Sequence, residues 1–316
     1  MADFSISDVA FTGFRVIRER PKALAVWVVI QVILAVAMLL LMAQTMAPAM
    51  SQLQQATGPH PDPNQTLAAM AKLIPFYLLA ALFSLLVYPV IYAAMNRAVL
   101  QPSNDRFAYL RLGADELRQL GLMLLYGLIM FGLYMATAIA SAIIMVIVGM
   151  VAGSGGKPSV VVFTLMPMVI LLVVAAVMAF FGVRFCLASP LTFATRKIDL
   201  FGSWTLTKGR FWPIFGTLVV VFCVSLALYV LIGVIAVAVS FATGAGFNIT
   251  TFIRPDYSSP SAFLSPARIV LQLVSATLGT VFIPLWITPP AAIFASITSA
   301  SANSAAGRAR IDEVFS

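Results

Sequence analysis

Charge is scarce in this 316-residue sequence: Asp, Glu, Lys and Arg together make up 9% of it, against roughly 25% in soluble domains. Histidine occurs once, at His60, and cysteine twice, at Cys186 and Cys223, with no CxxC pair. Each shortage excludes something. A chain that is 61% hydrophobic has too few polar side chains to cover a water-soluble surface. One histidine and two separated cysteines cannot supply a structural zinc site or a disulfide framework. The cysteines read as two buried small hydrophobes. No cofactor is implied.

Long apolar runs are what the sequence does have. A spanning helix needs about 20 mostly apolar residues, and six segments qualify: 24–46, 73–95, 119–152, 159–183, 211–243 and 267–298. The fold class expected is therefore an all-α membrane protein with six transmembrane helices. It forms a single polytopic domain over 1–316, with a cytoplasmic segment 1–23, a six-helix bundle 24–298 and a cytoplasmic tail 299–316. Pro167, Pro284, Pro289 and Pro290 fall in or at the ends of these runs and read as kinks, since neighbouring helices can re-satisfy the freed backbone groups. The first run is longer than the roughly 7–15 apolar residues of a signal peptide, so it reads as an uncleaved helix.

Orientation follows from the basic residues. With the N-terminus inside, 15 of the 19 Lys and Arg fall on the cytoplasmic side, leaving Lys72, Lys157, Arg254 and Arg268 outside. That is a strong positive-inside bias, and an even helix count returns the C-terminus to the same side. The net charge of +8 is thereby explained by headgroup contacts rather than nucleic acid. Two polar outer loops are expected, one around 47–68 carrying His60 and one around 244–266 carrying Asn248-Ile249-Thr250.

Two stretches before the third and fifth runs echo each other: RFAYLRLGADELRQLGL (106–122) and FGSWTLTKGRFWPIFG (201–216). Each follows an aspartate, Asp105 or Asp199, placed to cap a short helix. Rich in aromatics and cations, such helices would lie flat at the membrane interface. The N-terminal stretch, with Ile6, Ala10, Gly13 and Ile17 on one face, is a third version. The chain thus reads as three repeated hairpin units, each opened by an amphipathic interfacial helix.

Ser203, Trp204, Leu206, Thr207, Gly209, Phe215 and Gly216 give the segment 201–216 a pattern that resembles YciC-like bacterial inner-membrane proteins. It also resembles the membrane domain attached to some glycerophosphodiester phosphodiesterases. The resemblance implies a six-helix fold and a bacterial inner-membrane location. It carries no activity, and no phosphodiesterase catalytic domain is present.

Catalysis needs positioned acids, bases or nucleophiles, yet all 11 carboxylates lie outside the six runs. Asp115 and Glu116 read as a solvated helix face. Coupled transporters usually keep ionisable groups within the membrane, and here the most polar core residues are Gln31 and Gln272. Gly132, Ala136 and Ala140 give a small-residue face suited to close helix approach. The best candidate for function is the basic and aromatic cytoplasmic face. There Arg111, Arg118, Arg196, Lys197, Trp204, Lys208, Arg210 and Trp212 suit anionic lipid headgroups. The reading that follows is a non-enzymatic protein that organises or senses membrane lipid. The alternative is a transporter or permease component for a hydrophobic or amphipathic solute. Expected partners are anionic membrane lipids, with a second copy or another membrane protein as further candidates, and no nucleic acid.

Overall fold

The computed structural model describes residues 4–58, 62–103, 105–153, 160–242 and 256–315. His60, Lys157, Arg254 and the Asn248 triplet lie outside them. The described residues are predominantly helical, with no strand among them. Six stretches are long and apolar enough to cross a membrane: Pro21–Ala56, Pro63–Leu100, Arg106–Met150, Met166–Thr195, Phe211–Val234 and Arg268–Ala300. The chain is a multi-pass, all-α membrane protein.

Prolines and caps set where the helices begin. Helix α1 (Ile6–Ala10) opens on Ser5, α2 spans Thr12–Glu19, and α3 (Pro21–Leu41) starts on a proline. Proline fits there because its missing N–H would be unbonded in any first turn. A π-helical turn, Met42–Met46, joins α3 to α4 (Ala47–Ala56), and α5 follows over Pro63–Ala71. The polar stretch around 47–68 is therefore largely helical. Asp62 accepts the Asn64 and Gln65 amides at 2.9 and 3.4 Å, capping α5, and Ala49, Ala56 and Ala69 are buried. Small residues let the two short helices pack closely.

Helix α6 (Ile74–Leu100) carries Pro89 internally. Helices α7 (Ala114–Gly153) and α8 (Val160–Phe185) follow, then the short α9 (Ala188–Thr195) and α10 (Leu200–Thr207). The last three are α11 (Phe211–Ala242), α12 (Pro260–Phe263) and α13 (Pro266–Phe315). Pro167 in α8 and Pro284, Pro289 and Pro290 in α13 do not interrupt their helices.

The chain gathers into two compact units. The N-terminal unit comprises Ser5–Arg111 and Thr217–Ala292. In it α2 crosses α13 at Gly13, where a β-carbon would stand 2.8 Å from the Pro284 carbonyl oxygen. Only glycine permits that approach. Elsewhere in the unit Phe263, fully buried, packs on Leu39, Ala43 and Ala47 beside the π-helical turn. The Arg268 guanidinium lies 4.0 Å from the Phe263 ring centroid.

Between α6 and α7 the structure departs from the expected interfacial helix. Arg106–Tyr109 is a single tight turn in which Phe107, Ala108 and Tyr109 have φ of 51°, 55° and 67°. Left-handed backbone costs an L-residue about 1–2 kcal/mol, so something must hold it. Trp27 Nε1 donates to the Ala108 carbonyl at 2.8 Å, and Arg97 Nη1 donates to the Tyr109 carbonyl at 2.9 Å. Tyr109 is fully buried and its hydroxyl donates to the Pro102 carbonyl at 3.0 Å. Asp105 makes no side-chain cap here. The three stretches read as repeats thus differ locally: two short helices at the N-terminus, a left-handed turn at 106–109 and a helix at 200–207.

The central unit comprises Met1–Phe4, Leu112–Gly216 and Ile293–Ser316. Leu122, Phe185, Ala188 and Leu200 form its core, with Tyr126, Ile129, Phe181 and Trp204 against them. Gln119, 1% exposed, donates to the Ser189 carbonyl at 2.9 Å and accepts from the Ser189 hydroxyl at 3.0 Å. This reciprocal pair locks α9 against α7. Glu116 is 5% exposed, not the solvated face expected of it: α7 turns that position inward while Asp115 stays partly exposed.

Candidate functional site

Helix α8 ends at Phe185, so its final carbonyls have no partner within the helix. One of them, Arg184's, accepts the Ser203 hydroxyl at 2.8 Å. Ser203 reaches it because α10 is docked beneath, with Leu200, Ser203 and Thr207 buried at helical spacing. Asp199 starts α10 as expected, accepting the Gly202 amide at 2.7 Å. Gly209, at φ 78°, then turns the chain from α10 into α11.

This packing places aromatic rings around the Arg184 side chain. Its guanidinium carbon lies 5.1 Å from the Trp204 ring centroid, 5.4 Å from Phe180 and 5.7 Å from Phe211. The rings also touch one another, Phe180 and Trp204 edge to face at 5.8 Å. Thr207 donates to the Trp204 carbonyl at 3.1 Å, which leaves its lone pairs to accept Arg184 Nη1 at 3.5 Å. Among the described residues that long contact is the guanidinium's only hydrogen bond, and buried Nε has no partner. No carboxylate pairs with Arg184 among the described residues.

A half-buried cation without a counter-ion is costly. Each ring face offsets about 0.5–2 kcal/mol of that cost, and a guanidinium still prefers a planar, two-oxygen anion such as a phosphate. The arrangement can bind an anion.

The residues expected on the basic face are only partly brought together. Trp204 stands in the cage. Arg210, half-buried at the start of α11, reaches the Leu206 carbonyl at 3.5 Å. Lys208 is exposed on the turn after α10, and Trp212 is 75% exposed. Arg196, in left-handed conformation at the end of α9, and Lys197 are exposed on the α9–α10 turn. Arg118 is tied to Asp115 at 2.7 Å on α7. Arg111, half-buried, belongs to the N-terminal unit. Arg184 itself stood in the sequence beside these residues. What marks it is the i, i+4 spacing of Phe180 and Arg184, with Ser203, Trp204 and Thr207 close together on α10.

A groove of about 380 Å³ opens between α7 and α8, lined by Tyr134, Thr137, Ser141, Met145, Pro167 and Val174 among others. Thr137 and Ser141 donate to backbone carbonyls of α7, so its walls are apolar. Gln31 and Gln272 are not among its lining residues. Cys186 is half-buried but Cys223 is exposed on α11, contrary to expectation. Gly132, Ala136 and Ala140 are exposed on α7, and a β-carbon at Gly132 would meet nothing within 4 Å. Comparison with family models, curated proteins and solved structures finds no match.

Proposed function

We propose that the chain is a non-enzymatic bacterial inner-membrane protein, of the YciC-like kind, that binds an anionic phospholipid headgroup at Arg184. The observation that carries this reading is the guanidinium held among Phe180, Trp204 and Phe211 without a carboxylate. The charge bias supports placing that end of α8 at the cytoplasmic leaflet, where anionic lipids concentrate. Trp204 and Thr207, two of the residues that carry the family resemblance, also touch the Arg184 guanidinium. Exposed Lys208 and half-buried Arg210 add positive potential beside it.

The test is native mass spectrometry of the detergent-purified chain titrated with phosphatidylglycerol, cardiolipin and phosphatidylcholine. The wild type is expected to retain an anionic lipid selectively. Arg184→Lys, which keeps the charge but loses the planar fork, is expected to weaken that retention about tenfold. Lys197→Ala is expected to leave it unchanged. Equal anionic-lipid retention by wild type and both Arg184→Lys and Arg184→Gln refutes the site.

The groove between α7 and α8 favours a second reading, a permease component for an apolar or amphipathic solute. That reading expects Ser141→Phe, which fills the groove, to abolish flux of a fluorescent fatty acid into proteoliposomes while leaving lipid retention at Arg184 intact. Equal flux in wild-type and protein-free vesicles removes it.

A further inference from the structure

The left-handed turn at Arg106–Tyr109 does the reverse of what apolar side chains do in a soluble loop. It buries Tyr109 completely and leaves its neighbour Phe107 85% exposed. Three consecutive residues with positive φ are required to achieve this. The two carbonyls they expose are held from a distance, Ala108 by Trp27 and Tyr109 by Arg97, which is itself 3% exposed. Strain of this kind persists only where surrounding structure over-determines it, and it clusters at functional positions. Trp27, Ala94, Met95, Ala98 and Tyr109 form one buried cluster beneath the turn. The base is packed and the tip is exposed.

We infer that this turn is a membrane wedge, with Phe107 seated at the headgroup–acyl boundary of an anionic leaflet and Arg106 at its phosphates. Three observations select lipid as the occupant. The turn opens the apolar stretch Arg106–Met150, shortly after the preceding one ends at Leu100, so its tip stands at a membrane boundary by position. Its exposed side chains are an arginine followed by a phenylalanine, the pairing that favours an interface where one end is wet and the other apolar. The basic bias of its side of the chain complements anionic headgroups. Exposed Asp105 precedes the turn and is the acidic residue nearest in sequence to the tip. The wedge belongs to the N-terminal unit and does not depend on the Arg184 reading, so either can fail alone.

The test replaces Phe107 in the full chain with trifluoromethylphenylalanine, reconstitutes it in phosphatidylethanolamine–phosphatidylglycerol vesicles and follows its single fluorine resonance. Nitroxide placed at a shallow acyl carbon is expected to broaden that resonance several-fold more than a water-soluble gadolinium chelate does. The same probe at Lys197 is expected to show the opposite order. Adding Trp27→Phe, which removes the bond to Ala108, is expected to shift Phe107 toward the chelate. Arg106→Gln is expected to reduce the difference between anionic and phosphatidylcholine vesicles. Stronger broadening by the chelate at Phe107 overturns the inference, because the tip then projects into water. Broadening by neither also overturns it, because protein then covers the tip.

Discussion

Replacing Gly13 by alanine puts a methyl carbon 2.7 Å from Leu285 Cα, 2.8 Å from Leu285 N and 2.8 Å from the Pro284 carbonyl oxygen. Carbon atoms pack comfortably at about 3.5–4.0 Å, so the two helices must separate by roughly 1 Å. No side chain can rotate away, since all three atoms are backbone of α13. That backbone is itself anchored: Leu285 is 2% exposed, Ala291 and Ile293 are fully buried, and Thr288 donates to the Pro284 carbonyl at 2.7 Å. Overpacking of this kind costs about 1–3 kcal/mol, while alanine's better helix propensity returns at most about 1 kcal/mol. The net loss, up to about 3 kcal/mol, corresponds to a fall in Tm of up to roughly 12 °C at about 2–4 °C per kcal/mol. Scanning fluorimetry of the detergent-purified chain, following tryptophan emission, reads it directly. Gly132→Ala is the control, because the added carbon meets nothing within 4 Å and only the propensity gain remains. Gly13→Ala as stable as Gly132→Ala refutes the close crossing of α2 and α13.

Gln119→Leu removes both halves of the reciprocal bond with Ser189 from a buried position, costing about 1–3 kcal/mol. Ser189→Ala added to it is expected to cost less than the two single changes summed, and additive Tm losses count against the pair. The Ser258 hydroxyl and amide, the latter at 2.8 Å, hold the Asp256 carboxyl below the usual aspartate range. A depressed folded-state pKa means that this turn's contribution to stability is present above the unfolded value and is lost as pH falls through the folded one. A carbon-detected NMR titration is expected to show Asp256 protonating later than a model aspartate on acidification, and Ser258→Ala is expected to erase the difference.

The six spans were legible because their signal is compositional: about 20 apolar residues in a row admit few other structures. Their ends were less legible. The first span reaches Ala56 and the second starts at Pro63, since the stretch between the apolar runs carries glutamines and prolines yet folds into α4 and α5. Local chemistry read well where the partner is close in sequence, as with Asp199 and the amide three residues on. It read badly where the partner is far. Nothing in RFAYLRLG announces a left-handed turn, because one of the groups that hold it is Trp27, 81 residues from Ala108. Glu116 failed for a related reason, since periodicity alone did not reveal which side of α7 faces α9.

The two deeply placed arginines of these spans show what charge counting leaves undecided. Arg97 and Arg184 both sit in the last turn of a spanning helix. Arg97 is 3% exposed and spends a donor on the Tyr109 carbonyl; its bond holds a strained backbone in place. Arg184 is more open, with ring faces around it and one long contact to a hydroxyl. A guanidinium bonded to peptide carbonyls is a structural strut whose replacement changes the fold of a turn. One surrounded by rings keeps its charge unneutralised and its donors largely uncommitted, and the cheapest way to satisfy it is an anion from outside the chain. The distinction predicts that Arg97→Lys lowers Tm without changing anionic-lipid retention in detergent, and that Arg184→Lys weakens that retention with a smaller effect on Tm. Swapped outcomes in the same two assays would exchange the roles assigned to these residues.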